Sequence, residues 1–363
     1  MHPGGLIRPL FHPDPSGGGD ESSSSGRKRV IIAGFELKKK LGEGAVGVVF
    51  LAKQLSMERL VALKILQPEL ARDPSIQERF LSEARLSARL NHLHIINGID
   101  CGIDRGYTYF AMEYVDGPTG QQMLRDQQKL PPQQAFDMIR EIADALIYAH
   151  GQGLVHRDIK PDNIMITSGK VAKLCDLGLA KKVGETESKA DSRAGMAVGT
   201  PHYISPEQAR ADRNFDGRTD IYSLGATFYH LLTGHTPFQG GGAMVIMAKH
   251  LTETAPSPCD EDPGIPIVYG VLITRMMAKA PEDRYASAEE LKKELDAIKD
   301  TGRPLAPVFR GGTSCALPKK LLGARGGGQT TGSQTPCAAP PASPDPSAAS
   351  ASAAAGRDGS GKK

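Results

Sequence analysis

The stretch that most constrains this chain runs from His156 to Asn163 and resumes at Asp176-Leu177-Gly178. Asp158 is a carboxylate spaced to accept a proton, Asn163 and Asp176 are oxygen donors spaced to hold metal ions, and Lys160 stands between them. That combination is equipment for phosphoryl transfer, in which protein groups position the reactants and neutralise charge. Groups so far apart in sequence converge only on a folded frame. The 39% hydrophobic content of the 363 residues is enough for a sizeable core.

Composition excludes more than it assigns. Lys+Arg 44 against Asp+Glu 41 leaves a formal charge of +3, too little to point to nucleic acid or an acidic membrane surface. Cys101, Cys175, Cys259, Cys315 and Cys337 lie far apart without a C-x-x-C pair, so neither a zinc site nor a disulfide framework is expected and a reducing cytoplasm fits best. Pro3, Pro9, Pro13 and Pro15 break the N-terminus, which lacks the apolar run of a secretory signal. Nowhere do apolar residues continue for the ~20 positions that span a bilayer. Residues 1–34, rich in Gly, Ser and Pro, and 300–363, rich in Gly, Ala, Ser and Pro, bury too little apolar surface to offset ordering. They are expected to be a disordered leader and tail around a domain of residues 35–299.

Within that domain, Leu41-Gly42-Glu43-Gly44-Ala45-Val46-Gly47 reads as a glycine-rich turn after strand material at 30–32 and 35–37, and Val48-Val49-Phe50-Leu51-Ala52 leaves it as a strand. A dinucleotide-binding fold with the same glycine spacing opens a helix at the last glycine. The β-branched exit favours a hairpin flap instead, whose glycines let backbone N–H groups approach phosphate oxygens. A plain β-turn without a ligand is the other reading of this turn taken alone. Lys64 then interrupts the apolar strand at 60–66, where an unpaired charge is costly. A helix over 74–90 turns Ile76, Phe80, Glu83, Ser87 and Leu90 to one face, so Glu83 stands among core positions. An inward cation and an inward anion make a natural pair, Lys64 with Glu83.

Further on, residues 107–115 read as a strand ending at Asp116-Gly117-Pro118, and a helix over 133–150 starts after Pro131-Pro132 and stops at Gly151. Asp220 begins another helix, and an amphipathic helix over 288–298 closes the domain. His92 and His94 stand at i, i+2 without a third ligand nearby and read as structural.

H-R-D-x-x-x-x-N at 156–163, D-x-G at 176–178, G-x-G-x-x-G at 42–47, Lys64, Glu83, Ser205-Pro206-Glu207 and Arg284 occur in the order found in protein kinases. Over roughly residues 35–298 the chain resembles that family, and its bacterial serine/threonine members most. The resemblance implies an α+β bilobal fold. A small β-rich lobe with one main helix would occupy about 35–112, a hinge 113–117 and a larger, mainly helical lobe 118–299, with ATP between the lobes.

The same resemblance implies the roles. Asp158 would be the catalytic base, Lys160 would steady the transferred phosphate, and Thr200 would lie near both, as in serine/threonine-specific kinases. Asn163 and Asp176 would hold Mg2+. Lys64 would hold the α- and β-phosphates, oriented by Glu83. Leu41, Gly42, Glu43, Gly44, Ala45, Val46, Gly47, Val48 and Val49 would cover the nucleotide, the backbone of Glu113 and Val115 would meet the adenine edge, and Met112 would guard the pocket behind. His156 would support the loop, Asp220 would brace it, and Glu207 would pair with Arg284. Arg157 would pair with a phosphate on the activation segment, with Ser192 first choice ahead of Ser188 and Thr186.

The implied activity is transfer of the ATP γ-phosphate to Ser or Thr of protein substrates and of the chain itself, the latter by self-association, with no nucleic-acid partner. Leu177 replaces the commoner phenylalanine of D-F-G. A pseudokinase is opposed by the joint presence of Lys64, Glu83, Asp158, Asn163 and Asp176. An NAD-type oxidoreductase is opposed by the strand after Gly47 and by Lys64, which stands ~20 residues on from the glycines, where an acidic ribose ligand belongs.

Overall fold

Alternation of apolar and polar residues in the first part of the domain builds strands. The computed structural model of the chain describes residues 29–176, 181–182 (backbone), 201–212 and 215–305. Strands β1 (Ile31–Ile32), β2 (Phe35–Glu43), β3 (Gly47–Gln54), β4 (Arg59–Leu66), β5 (Gly98–Asp104) and β6 (Tyr107–Glu113) form an antiparallel sheet in the order β1-β2-β3-β4-β6-β5. One face carries Phe35, Val48, Phe50, Leu63, Ile65 and Tyr109 into a core of its own. On the other, helix α1 (Pro74–Ser87) packs Phe80 and Leu81 with Leu66. Asp73 caps this helix by accepting from the Ser75 N–H at 2.9 Å, with Pro74 at the first helical position.

Three boundaries differ from expectation. Ile31 and Ile32 pair with Glu36 and Phe35, and Ile32 is 2% exposed, so order begins inside the predicted leader because Ile32 fills the sheet's core. Strand β2 continues through Leu41 and Gly42 with register shifts after Leu37 and Lys40, which narrows the flap turn to residues 44–46. Helix α1 stops at Ser87, where the Arg89 and Leu90 N–H groups bond to Leu86 and Ser87 carbonyls at 3.1 Å in a tightened last turn.

The second part is helical: α2 (Gly120–Gln127), α3 (Pro132–Gly151), α4 (Pro206–Ala209), α5 (Arg218–Thr233), α6 (Ala243–Thr252), α7 (Pro258–Glu261), α8 (Ile267–Met276) and α9 (Ala288–Thr301). Helix α5 is the buried axis of this lobe, with Tyr222, Phe228 and Tyr229 all at 0% exposure. Phe136 of α3 stacks on Tyr269 of α8 at 4.8 Å, and Leu291, Leu295 and Ile298 of α9 close the same core. Short strands β7 (Leu154–Val155), β8 (Ile164–Ile166), β9 (Ala172–Leu174) and β10 (Lys181–Lys182) pair as β8 with β9 and β7 with β10.

The lobes join across residues 113–117. A Cβ on Gly117 would stand 1.9 Å from the Ile166 carbonyl oxygen, so glycine is required where the chain crosses β8. Among the described residues no helix is long and apolar enough to cross a membrane.

Candidate active site

Strand β7 delivers the loop that contains Asp158. His156 is 0% exposed, and its Nε2 lies 3.1 Å from the Cys175 carbonyl oxygen. Asp220, at the start of α5, accepts the N–H groups of His156 and Arg157, both at 2.8 Å, and lies 2.8 Å from His150 Nε2. Burial pushes the Asp220 carboxyl up, but His150, His156 and the Arg157 N–H outweigh it and hold the group below the usual carboxylate range. It is therefore a fixed anion under the loop. Arg157 has φ 71° and Asp176 φ 58°, left-handed conformations that non-glycine residues keep only where surroundings over-determine them. At Arg157 the surroundings are Asp220 on the N–H and Gln208 Nε2, which donates to the Arg157 carbonyl at 2.9 Å.

Asp158 Oδ2 accepts from Lys160 Nζ at 2.6 Å and from Asn163 Nδ2 at 3.0 Å. The same Asn163 amide donates to the Asp158 carbonyl at 2.8 Å, which commits its nitrogen and leaves Oδ1 as its acceptor. The Cys175 N–H donates to the Asn163 carbonyl at 2.9 Å, so the chain leading into Asp176 is tied to the Asp158 loop. Asp176 Oδ1 in turn accepts from Lys64 Nζ at 2.7 Å. Burial alone would lower the Lys64 ammonium and raise the Asp176 carboxyl, but each is overridden by the other, so the lysine titrates above and the aspartate below its ordinary range. The Asp176 side chain is 48% exposed, so the pair opens onto solvent in the cleft.

The donor set suits Mg2+. Asn163 Oδ1 and the Asp176 carboxylate are hard oxygen ligands on adjoining segments, and the nearby Cys175 thiol, pushed up to about 12 by burial and then by Asp176, stays protonated and offers no soft thiolate.

Two expectations are corrected. Lys64 and Glu83 do not form an ion pair: Lys64 turns to Asp176, and Glu83 accepts from Arg79 Nε at 3.0 Å, one helical turn away. Burial pushes the Glu83 carboxyl up to about 7, and Arg79 offsets only part of that. Val48 does not face the nucleotide side. It pairs with Ile65, which pairs with Tyr109, and all three lie in the core of the sheet; Val49, next along the pleat, pairs with Lys64 on the opposite face.

In the flap, Leu41, Gly42, Glu43, Gly44 and Ala45 are exposed, and a Cβ on Gly42 or Gly44 would meet nothing within 4 Å. Gly47 is different, because a Cβ there would stand 2.3 Å from the Ile65 carbonyl oxygen, and packing alone demands glycine. Val46 anchors the turn by accepting from the Gln67 N–H at 3.0 Å. In the hinge, the Glu113 N–H donates to the Asn97 carbonyl at 2.9 Å, whereas that of Val115 has no protein acceptor among the described residues.

His94 Nδ1 lies 2.8 Å from the Ala172 carbonyl oxygen and His92 stacks on Tyr148, so both histidines join the lobes. Glu207 and Arg284 pair at 2.7 and 2.8 Å, as expected. Sequence reasoning missed their neighbours, including Thr219, whose hydroxyl donates to Glu207 at 2.7 Å, and missed His150 under Asp220. Leu177, Gly178, Thr186, Ser188, Ser192 and Thr200 lie outside the described residues.

The protein kinase domain family matches residues 35–295. The chain is 37% identical over 277 residues to the serine/threonine-protein kinase PknB of Mycobacterium leprae, covering 75% of this chain and 44% of that one. It is 38% identical over 305 residues to the serine/threonine-protein kinase pkn3 of Myxococcus xanthus, covering 80% and 56%. The chain thus spans about half the length of the curated relatives it matches. Among solved structures, the PknI kinase domain of Mycobacterium tuberculosis is similar with a TM-score of 0.58 and 31% identity, over 74% of this chain and 97% of that one. The paired lobes, the Asp158 loop and these matches together establish that the chain belongs to the protein kinase family, beside bacterial serine/threonine kinases.

Proposed function

We propose that this chain transfers the γ-phosphate of ATP to serine or threonine hydroxyls of protein substrates, with Asp158 as the base. The observation that carries this reading is the contact of Asp158 Oδ2 with both Lys160 at 2.6 Å and Asn163 at 3.0 Å. A carboxylate so held presents its remaining oxygen to an acceptor hydroxyl, while Lys160 stands ready to balance charge on the moving phosphoryl group. Lys64 carries a positive charge into the cleft for the α- and β-phosphates. Asn163 and Asp176 would hold Mg2+, which when bound neutralises phosphate charge. The Val115 N–H, with no protein acceptor among the described residues, suits an acceptor nitrogen of adenine.

Lys64 now sits on Asp176 and Glu83 on Arg79, so productive binding calls for an exchange. Glu83 would take over Lys64, which would free the Asp176 carboxylate to hold Mg2+. Phosphorylation of the chain by a second copy of itself, and an activation-segment acceptor at Ser192, Ser188 or Thr186, belong to the same proposal. A cytoplasmic setting fits Cys101, Cys175 and Cys259, all free thiols.

The test is phosphate incorporation from labelled ATP with and without Mg2+, comparing the wild type with Asp176→Asn and followed by phosphoamino-acid analysis. Mg2+-dependent label on Ser or Thr that falls at least ~100-fold in the variant is expected. Label on tyrosine, or equal label in both proteins, contradicts the reading.

A further inference from the structure

We propose that Lys173 is a positioning residue for nucleotide binding, acting through the Glu113 side chain on the hinge backbone. Lys173, in the middle of β9, is 8% exposed, and its Nζ lies 2.9 Å from Glu113 Oε1 and 3.1 Å from Oε2. Glu113 closes a reciprocal pair with Asn97: its N–H donates to the Asn97 carbonyl at 2.9 Å, and its Oε2 accepts from the Asn97 N–H at 3.2 Å. The first hinge residue is therefore held by main chain and side chain together.

The ammonium is useful as an anchor because β9 is itself immobilised. The Leu174 N–H donates to the His94 carbonyl at 2.8 Å, and the Ile96 N–H to the Leu174 carbonyl at 3.0 Å. Glu141 Oε2 accepts from the Ala172 N–H at 2.7 Å. At its other end the hinge rests on the partner strand of the same hairpin, where Gly117 crosses β8 and the Ile166 N–H donates to the Pro118 carbonyl at 2.9 Å. The β8–β9 hairpin thus fixes both ends of the hinge, and β9 continues directly into Cys175 and Asp176. One rigid element sets the adenine edge and the metal ligand in a common frame.

Without Lys173, the partly buried Glu113 carboxylate keeps only the Asn97 N–H and must turn towards water. That releases the hinge backbone while leaving Asp158, Lys160 and Asn163 untouched. The inference rests on the hinge being the adenine site.

The experiment uses the full chain. Steady-state kinetics with varied ATP, and ADP dissociation constants by calorimetry, are compared for wild type, Lys173→Met, Lys173→Arg and Lys173→Gln. For Lys173→Met, KM for ATP and Kd for ADP rise about tenfold with kcat within about twofold, the size of one weakened polar contact. Lys173→Arg returns both constants to within about threefold of wild type, whereas Lys173→Gln, which loses the charge, raises them about fivefold. A folded Lys173→Met protein with wild-type KM and Kd, or with reduced kcat and unchanged KM, overturns the proposal. Should Lys173→Met fail to fold, Lys173→Gln decides: constants raised about fivefold support the proposal, and wild-type constants overturn it. Wild-type protein that binds no ADP is a separate result, and overturns the nucleotide reading itself.

Discussion

Glu83 in the small lobe and Glu207 in the large lobe are both inward-facing carboxylates near arginines, and they titrate in opposite directions. Glu207, 3% exposed, is the more buried. Burial pushes it up, yet the bidentate Arg284 contact and the Thr219 hydroxyl draw it below its ordinary range. Arg284 uses every guanidinium donor: besides Glu207, it reaches the carbonyls of Ala278 at 2.8 Å, Arg218 at 2.9 Å and Lys279 at 3.1 Å. Among the described residues, Glu83, with its side chain 21% exposed, has the single Nε contact of Arg79, and the charge of Asp176 opposes its ionisation. Burial depth is therefore not what separates them. A bidentate partner makes one carboxylate part of the framework, whereas a single contact holds the other less firmly.

The largest effect should come from breaking the framework pair. Arg284→Met leaves Glu207 buried without its cation and should destabilise the fold by ~3–5 kcal/mol in urea denaturation. A loss below ~1 kcal/mol would erase the contrast between the lobes.

The next test uses pH. Because the Glu83 carboxyl is raised from 4.5 to about 7 in the folded chain, its contribution to stability is fully present below pH 4.5 and is lost as pH rises through about 7. Relative to Glu83→Gln, wild-type stability should fall by an amount on the order of 3 kcal/mol across that window, read from paired denaturation curves. Mg2+ and ATP should flatten the difference by giving Glu83 to Lys64. Parallel curves without nucleotide would contradict the assignment.

The smallest effect concerns the competing partner. Arg79→Ala should raise kcat/KM about twofold by releasing Glu83 to Lys64. Unchanged or reduced kcat/KM would mean that Arg79 does not compete with Lys64.

What was legible in the sequence follows the same division. Lys64, Asp158 and Asn163 stand out because a polar group inside an apolar run, or at fixed spacing in a loop, needs a reason to be there. Glu207 with Arg284 was legible for the same reason, and the structure closes that pair. The partner of Lys64 was read as Glu83 and is Asp176, which stands 112 positions on in sequence and is brought to the lysine only by the fold. Val48 and Val49 are indistinguishable by composition; the pleat separates them once the register against β4 is known. Lys173 carried the same signal as Lys64, a lysine between apolar strand residues, but β9 is only three residues long and offers no alternation to interrupt. Helices α6 and α8 were passed over because their apolar residues, among them Met244, Val245 and Ile267 on the exposed side, blur the stripe that marks a core face.

The claim that holds the account together is that the cleft performs phosphoryl transfer with Asp158 as base, and one measurement addresses it directly. Initial rates of phosphate transfer from Mg2+ and ATP are compared for wild type and Asp158→Asn, which preserves size and removes the basic oxygen. A fall of ~100- to 10,000-fold, with ADP binding retained, is the predicted result. Equal rates in the two proteins would contradict it.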